Sequence, residues 1–342
     1  MTKRRASFPS TKPIIGIGNA CVDIITRVDD SFLAENSLVK GQCVEITLEQ
    51  KQLFQSLLPE CQYAPGGDAA NTLACYSLLG GDAIFLGRWA DDMLGNMLMD
   101  DWKQRNVQFY NDPVKVDGSA KDTTTCVFCL TTDDKERSFA NYPGVCEAFG
   151  KADILPSILD KSDFLHISGY LLQARGTLEA YLFAADYIHQ RGGIVAFSPS
   201  DVSIMNIYAD EVAKLVEVTD GIFLNEPDAL HLTNTTTLKD ACAALKAKFA
   251  FGFVTLGKEG VWAFNGDEEV TVEAVKPPGE VVDTNGAGDN FTGGFLYGLR
   301  QGWSLHDACI LGSTCAAKIV TLYGARLPHD TVLPEMPLKR AS

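Results

Sequence analysis

No stretch of this 342-residue chain approaches the roughly 20 consecutive apolar residues that a membrane-spanning helix requires. The first ten residues also lack an apolar core: Lys3, Arg4 and Arg5 are followed by Ser7, Pro9 and Ser10, so a secretory signal is not expected. Positive charge is scarce. Lys plus Arg total 29 against 44 Asp plus Glu, a net charge of −15, and such a surface repels phosphate backbones and anionic headgroups. Nucleic acid and membrane are therefore excluded as expected partners. Although ten cysteines are present, only one metal-like spacing occurs, Cys126-Val-Phe-Cys129, and no second Cys-x-x-Cys completes a four-ligand site. Its surroundings, rich in Thr, Val and Phe, predict a strand, on which residues three apart point to opposite faces. Reduced thiols in a cytoplasmic protein are the expectation, with most of them in the core. Asn234-Thr-Thr is accordingly a glycosylation sequon in form only.

What is present is a large apolar fraction, 46% against 21% charged, enough for an extensive core. Short apolar runs at Ile14–Gly18, 83–87, 164–168, 194–198, 221–225 and 252–257 alternate with helical periodicity over 68–79, 92–104, 177–190, 209–217 and 238–249. That alternation predicts an α/β fold with a mostly parallel sheet covered by helices on both faces, ligands gathering at the carboxyl ends of its strands. Two stretches break the pattern, Val22–Leu48 and Val107–Tyr142, rich in Val, Ile, Thr and Phe with no helical period. They predict an antiparallel β lid carried by a single domain spanning 13–331. Residues 1–12 and 334–342, without periodic apolar runs, read as flexible tails.

Two familiar phosphate motifs fail. Gly16-Ile-Gly18-Asn-Ala-Cys21 has a cysteine where a dinucleotide fingerprint needs its third glycine, and no helix follows. In Gly252-Phe-Val-Thr-Leu-Gly257-Lys258-Glu259, a glutamate replaces the hydroxyl residue of a P-loop, Gly252 to Leu256 reads as strand, and Gly257-Lys258-Glu259-Gly260 reads as a hairpin turn. The informative segment is Val281-Val-Asp283-Thr284-Asn285-Gly286-Ala287-Gly288-Asp289, where a strand gives way through small residues to an apolar helix. Gly286, Ala287 and Gly288 let the first-turn N–H groups approach an anion at the positive end of the helix dipole. Asp289 lies in the same turn, where the dipole is expected to keep its carboxylate ionised. Capping alone favours aspartate there, but capping explains neither the three small residues nor the polar Asp283-Thr284 pair at the strand end. A carboxylate base beside an anion hole suits phosphoryl transfer to an alcohol.

Asp283 to Asp289 match in full the late signature Asp-Thr-x-Gly-Ala-Gly-Asp, and Gly66-Gly67-Asp-Ala-Ala-Asn71 with Gly87-Arg-Trp-Ala-Asp91-Asp92-Met-Leu-Gly95 is similar to the early one. On these two motifs the chain, over roughly residues 14–330, resembles the ribokinase-like (PfkB) carbohydrate and nucleoside kinases. That resemblance implies a ribokinase-like fold with a small β lid, ATP with Mg2+ as cofactor, and room for a monovalent cation near Asp283. It makes Asp289 the catalytic base and Gly286, Ala287 and Gly288 the anion hole. Asp23, Gly66, Gly67 and Asn71 become binders of the acceptor's hydroxyls, and a carboxylate such as Asp23 can accept from both members of a vicinal diol. Asn225, Thr255, Gly257, Gly260 and Ser313 are placed on the nucleotide side. Asp228 is assigned to the metal through water and Glu226 beside it, although Asp228 is one methylene shorter than the family's usual glutamate. Softer similarities at Gly18–Asp23, 38–41, 167–172 and 322–326 point to adenosine-kinase-like members, in which Phe128, Phe139, Tyr142 and Tyr170 would stack a base. A plain sugar kinase for ribose, fructose or a keto-deoxy sugar acid is the alternative, and a ligand-binding relative without turnover a more distant one. The expected state is a monomer or a homodimer paired through the lid.

Overall fold

The computed structural model describes residues 6–58, 60–116 and 123–333. Among the described residues fourteen strands, numbered in chain order, form two sheets. The larger contains β1 (Ile14–Ile17), β5 (Ala83–Leu86), β6 (Val107–Phe109), β9 (Phe164–Ser168), β10 (Ile194–Ser198), β11 (Gly221–Asn225), β12 (Phe251–Thr255), β13 (Val261–Asn265) and β14 (Glu268–Val272). Its order is β14-β13-β12-β11-β10-β9-β1-β5-β6, parallel from β12 through β6 and antiparallel at the β12-β13-β14 edge. The inner strands are buried apolar runs because both faces are covered by helices, whereas the edge strands β14 and β6 are only partly buried.

The second sheet is the lid: β2 (Cys21–Arg27), β3 (Cys43–Glu45), β4 (Gln62–Gly66), β7 (Thr125–Thr131) and β8 (Arg137–Tyr142), in the order β3-β8-β7-β2-β4. It differs from the expected antiparallel ribbon in three respects. The β2–β7 and β3–β8 pairs are parallel. A third segment, 62–66, supplies an edge strand, while 107–109 joins the core sheet beside β5. Helices also form at Asp30–Glu35, where Asp29 caps Phe32, and at Leu48–Leu57, closed by a Thr47/Gln50 capping box. The pairing partner of a short strand is a tertiary choice, which residue composition does not encode.

The amino-terminal tail is likewise more ordered than expected over its described part. Phe8 is buried and packs edge-on against Phe251 at 4.8 Å, and the Ala6 amide donates to Asn265 Oδ1 at 3.0 Å. One large aromatic ring anchors a segment that has no periodicity to announce it. Residues 334–342 lie outside the described residues.

The Ala287–Arg300 helix sets the position of the late motif. Its Phe291 and Phe295 pack on Phe253 of β12, with ring centres 4.7 and 5.1 Å apart. On another side Gly293 lets it meet the Asp68–Leu78 helix so closely that a Cβ there would fall 2.6 Å from the Thr72 carbonyl. The two motif-bearing helices are thus locked together, and their amino termini open into one crevice.

Candidate active site

A cavity of about 940 Å³ lies between the carboxyl ends of β9 to β12 and the inner face of the lid. The core strands offer it polar groups at their ends or just beyond, among them Ser198, Ser200, Asn225 and Thr255. Asp23, Val127, Cys129, Arg137 and Phe139 enter from the lid. Residues 284–289 close the remaining side.

Gly286 caps the Ala287–Arg300 helix with φ +72°, a left-handed backbone that suits glycine, and a Cβ there would sit 2.4 Å from the Ala325 carbonyl. A Cβ on Gly288 would meet nothing within 4 Å, so the turn faces open space. The Gly288 and Asp289 amides have no acceptor among the described residues, as an anion site at a helix amino terminus requires. Both glycines and Ala287 line the cavity with Asp289.

Asp289 is half-buried in the cleft wall, and Asn71 Nδ2 donates to its Oδ2 at 2.8 Å. Desolvation, then the nearby Asp68 carboxylate, push its pKa up to about 8, against the smaller lowering by Asn71 and Arg326. The expectation that the helix dipole would hold it ionised is therefore corrected: burial among acidic neighbours outweighs a field that falls off within one turn. Asp23, raised to about 7 chiefly by desolvation, faces the same cavity from β2. Gly66 gives Asp23 its space, since a Cβ at 66 would stand 2.6 Å from the carboxylate. Gly67 turns the chain into the Asp68–Leu78 helix at φ +91°. Gly67 and Asn71 line the cavity, whereas Gly66 lies behind Asp23.

The nucleotide-side candidates are less tightly gathered. Asn225, Thr255 and Asp228 line the cavity, and Asn225 caps its helix by accepting from the Asp228 amide at 2.9 Å. Asp228 is buried, its pKa raised to about 7 by desolvation and then by Asp201. Gly257 and Gly260 lie beyond Thr255, in the turn joining β12 to β13 and outside the cavity wall. Glu226, on the first turn of the Glu226–Thr233 helix, is not in the wall either. Neither is Ser313, whose hydroxyl accepts from the Val275 amide at 2.9 Å. Of the four aromatic candidates, Phe139 and Tyr170 reach the cavity. Phe128 is buried against Phe54 and Tyr142 lies under Lys51, so both pack the lid instead.

Sequence reasoning passed over several groups that the fold brings here. Asp68, inside the early motif, is half-buried and accepts from the Ser168 and Ser200 hydroxyls, the latter at 3.1 Å. Ser200 has φ +81°, a conformation costly for a non-glycine residue and characteristic of functional sites. Arg137 of β8 spans from the lid to Asp283 and, at 3.1 Å, to Thr284 Oγ1. Among the described residues it is the only Lys or Arg in the cavity wall. Arg326, from the loop after the last helix, reaches Asn71 Oδ1 at 2.9 Å. Asp68 could have been flagged from its motif and Arg326 from the 322–326 similarity, whereas Ser200 and Arg137 depend on contacts between distant segments.

Residues 34–332 match the family model described as pfkB family carbohydrate kinase. The chain belongs to that family. Among solved structures, the PfkB chain is similar to the adenosine kinase from Sinorhizobium meliloti, 34% identical with a TM-score of 0.85 over 93% of this chain and 96% of that one. It is also similar to a probable sugar kinase from Rhizobium etli, 32% identical with a TM-score of 0.84 over 92% and 95%. A probable chloroplastic fructokinase of Arabidopsis thaliana is 28% identical over 83% of this chain and 74% of its own length. The ribokinase-like fold follows, and so does the reaction class: this PfkB kinase transfers phosphate from ATP to a hydroxyl of a small sugar or nucleoside. Relatives of both acceptor types occur, so membership alone does not choose between them. No helix among the described residues is long and apolar enough to cross a membrane.

Proposed function

We propose that the protein is an ATP-dependent nucleoside kinase, acting on the primary hydroxyl of an adenosine-like acceptor in the cytoplasm. The observation that carries the chemistry is the pairing of the Asp289 carboxylate with the free Gly288 and Asp289 amides that follow the Gly286 turn on one cavity wall. Asp289 accepts the hydroxyl proton as the oxygen attacks the γ-phosphorus, a role worth about 10²–10⁴ in rate. The amides steady charge developing on the transferred group. Asp23 and Asn71 lie where the acceptor's remaining hydroxyls would be held, and a carboxylate can take both hydrogens of a ribose diol.

For Mg2+, the donor set fits a metal that keeps waters and leans on phosphates. Asp228 brings one carboxylate to the cavity, and no three His, Cys, Asp or Glu side chains converge into a protein-only cage among the described residues. Asp228 would hold the ion through water, which would offset phosphate charge in a wall with one cation, Arg137.

The nucleoside reading rests on the lid side of the cavity, where Val127, Cys129 and Phe139 stand with Tyr170 around a slot that a sugar ring alone does not need. The similar adenosine kinase supports it. The fructokinase and sugar-kinase relatives keep a free sugar as the second reading. ADP release with ATP and Mg2+ over a panel of nucleosides and sugars tests the choice. Higher kcat/KM for adenosine than for any free sugar is expected, and a sugar heading the panel overturns the nucleoside assignment.

A further inference from the structure

Arg326 is buried, and each part of its guanidinium is engaged. Nε–H donates to Asn71 Oδ1 at 2.9 Å, Nη2 to the Gly66 carbonyl at 2.6 Å and Nη1 to Asp101, while the guanidinium carbon lies 4.3 Å from the centre of the Trp102 ring. Asp101 also receives Arg105 Nε at 2.8 Å, so the anchor is itself anchored. An asparagine amide can turn over, exchanging its oxygen for its NH2 group. Here the arginine accepts nothing, so only the oxygen can face it, and the NH2 group must face Asp289 Oδ2, 2.8 Å away. The adjacent Ala325 carbonyl accepts from Asn290 Nδ2 at 2.9 Å, and Asn290 also donates to the Gly286 carbonyl at 2.7 Å. The 325–326 segment therefore braces the glycine turn and the base together.

We infer that Arg326 is a positioning residue for phosphoryl transfer: through Asn71 it occupies one oxygen of Asp289 and leaves the other to take the acceptor's proton, and through Gly66 it holds the floor beside Asp23. This rests on Asp289 being the base. Asp289 is faced by Asp68 and Asn71 from the Asp68–Leu78 helix, by Asp23 from β2 and by Arg326 from the carboxyl-terminal loop. Arg326 is faced by Asp101 and Arg105 from the Met93–Arg105 helix and by Cys21 from β2. With two other carboxylates opposing ionisation of Asp289, loss of this cation disfavours the basic form.

Steady-state kinetics of the full chain across about pH 6 to 10 with ATP, Mg2+ and the best acceptor, alongside thermal melts, test the inference. Arg326→Met is expected to lower kcat at least about tenfold near neutrality, leave KM for ATP within about twofold, move the acidic limb of kcat/KM upward, and recover partly in alkali. Arg326→Lys keeps the charge but lacks the Nε–H. The limb should return toward that of the wild type while kcat stays about fivefold or more low. Wild-type kcat and an unmoved limb in either folded variant would overturn the inference. If Arg326→Met does not fold, Arg326→Lys decides by its kcat alone. Asp289→Asn separates the two claims: retained turnover there removes the base reading, whereas an inactive Asp289→Asn beside wild-type-like Arg326 variants removes only the positioning role.

Discussion

The two sheets supply the cavity with different things. The core presents short polar groups at or just beyond strand ends, Ser198, Ser200, Asn225 and Thr255, on a scaffold whose inner strands are buried on both faces. The lid presents Val127, Cys129 and Phe139, flanked by Asp23 and Arg137, from a sheet with a three-residue edge strand at β3. On the proposed reading, chemistry that needs groups held to fractions of an ångström sits on the core side, and selection among acceptors on the lid side. The contrast teaches that one cavity can separate rate from specificity by drawing its walls from two sheets.

The largest effect that would break this division is loss of the base. Asp289→Asn should lower kcat by about 10²–10⁴ with ATP binding retained, measured by single-turnover transfer and by nucleotide titration. Near-normal transfer would move the chemistry elsewhere. Next comes the glycine turn: Gly286→Ala places a methyl group 2.4 Å from the Ala325 carbonyl at φ +72°. It should cost about 1–3 kcal/mol of stability, read by chemical denaturation, and lower kcat as the amides shift. On the lid, Phe139→Ala should raise KM for a nucleoside about tenfold and leave kcat within about threefold, a split that assays on nucleoside and sugar together would sharpen. An equal loss for both acceptors would erase the assigned selectivity.

A smaller effect concerns pH. Asp289, Asp23 and Asp228 have folded-state pKa values raised to about 8, 7 and 7 from the ordinary 3.8, so each binds its proton more tightly in the native state. Their contribution to stability is complete below about pH 4 and is lost as pH rises through about 7 to 8. The ligand-free protein should therefore melt at lower temperature at pH 9 than at pH 6, and Asp289→Asn should reduce that difference, while kcat/KM of the wild type rises through the same window. An unchanged pH dependence of melting in the variant would place the titration on other groups. The smallest expected change is at Ser313, whose hydroxyl is committed to the Val275 amide. Ser313→Ala should leave KM for ATP within about twofold, and a larger rise would restore it to the nucleotide site.

Much of the core sheet was legible in the chain because parallel strands covered on both faces must be short apolar runs, and their alternation with amphipathic helices carries its own period. The late motif was legible in part: three small residues and a helix start describe an anion site locally, whereas Val281 and Val282, expected to end a strand, are exposed and belong to none. The lid was read as a ribbon because β-rich composition reveals strands but not their partners, and so the parallel β2–β7 pair and the 62–66 strand were missed. Phe8 escaped notice because a single buried ring has no periodicity.

The order of residues determined by itself the alternating elements, the small-residue turn and the acid that follows it, since these depend on neighbours a few positions apart. Only the tertiary structure decided what that acid is. Asp68 and Asn71, more than 200 positions earlier, and Arg326, 37 positions later, set its proton affinity and orientation. The physical reason is that desolvation, Coulomb interaction and hydrogen bonding act through space, so the character of a carboxylate belongs to its surroundings rather than to its place in the chain.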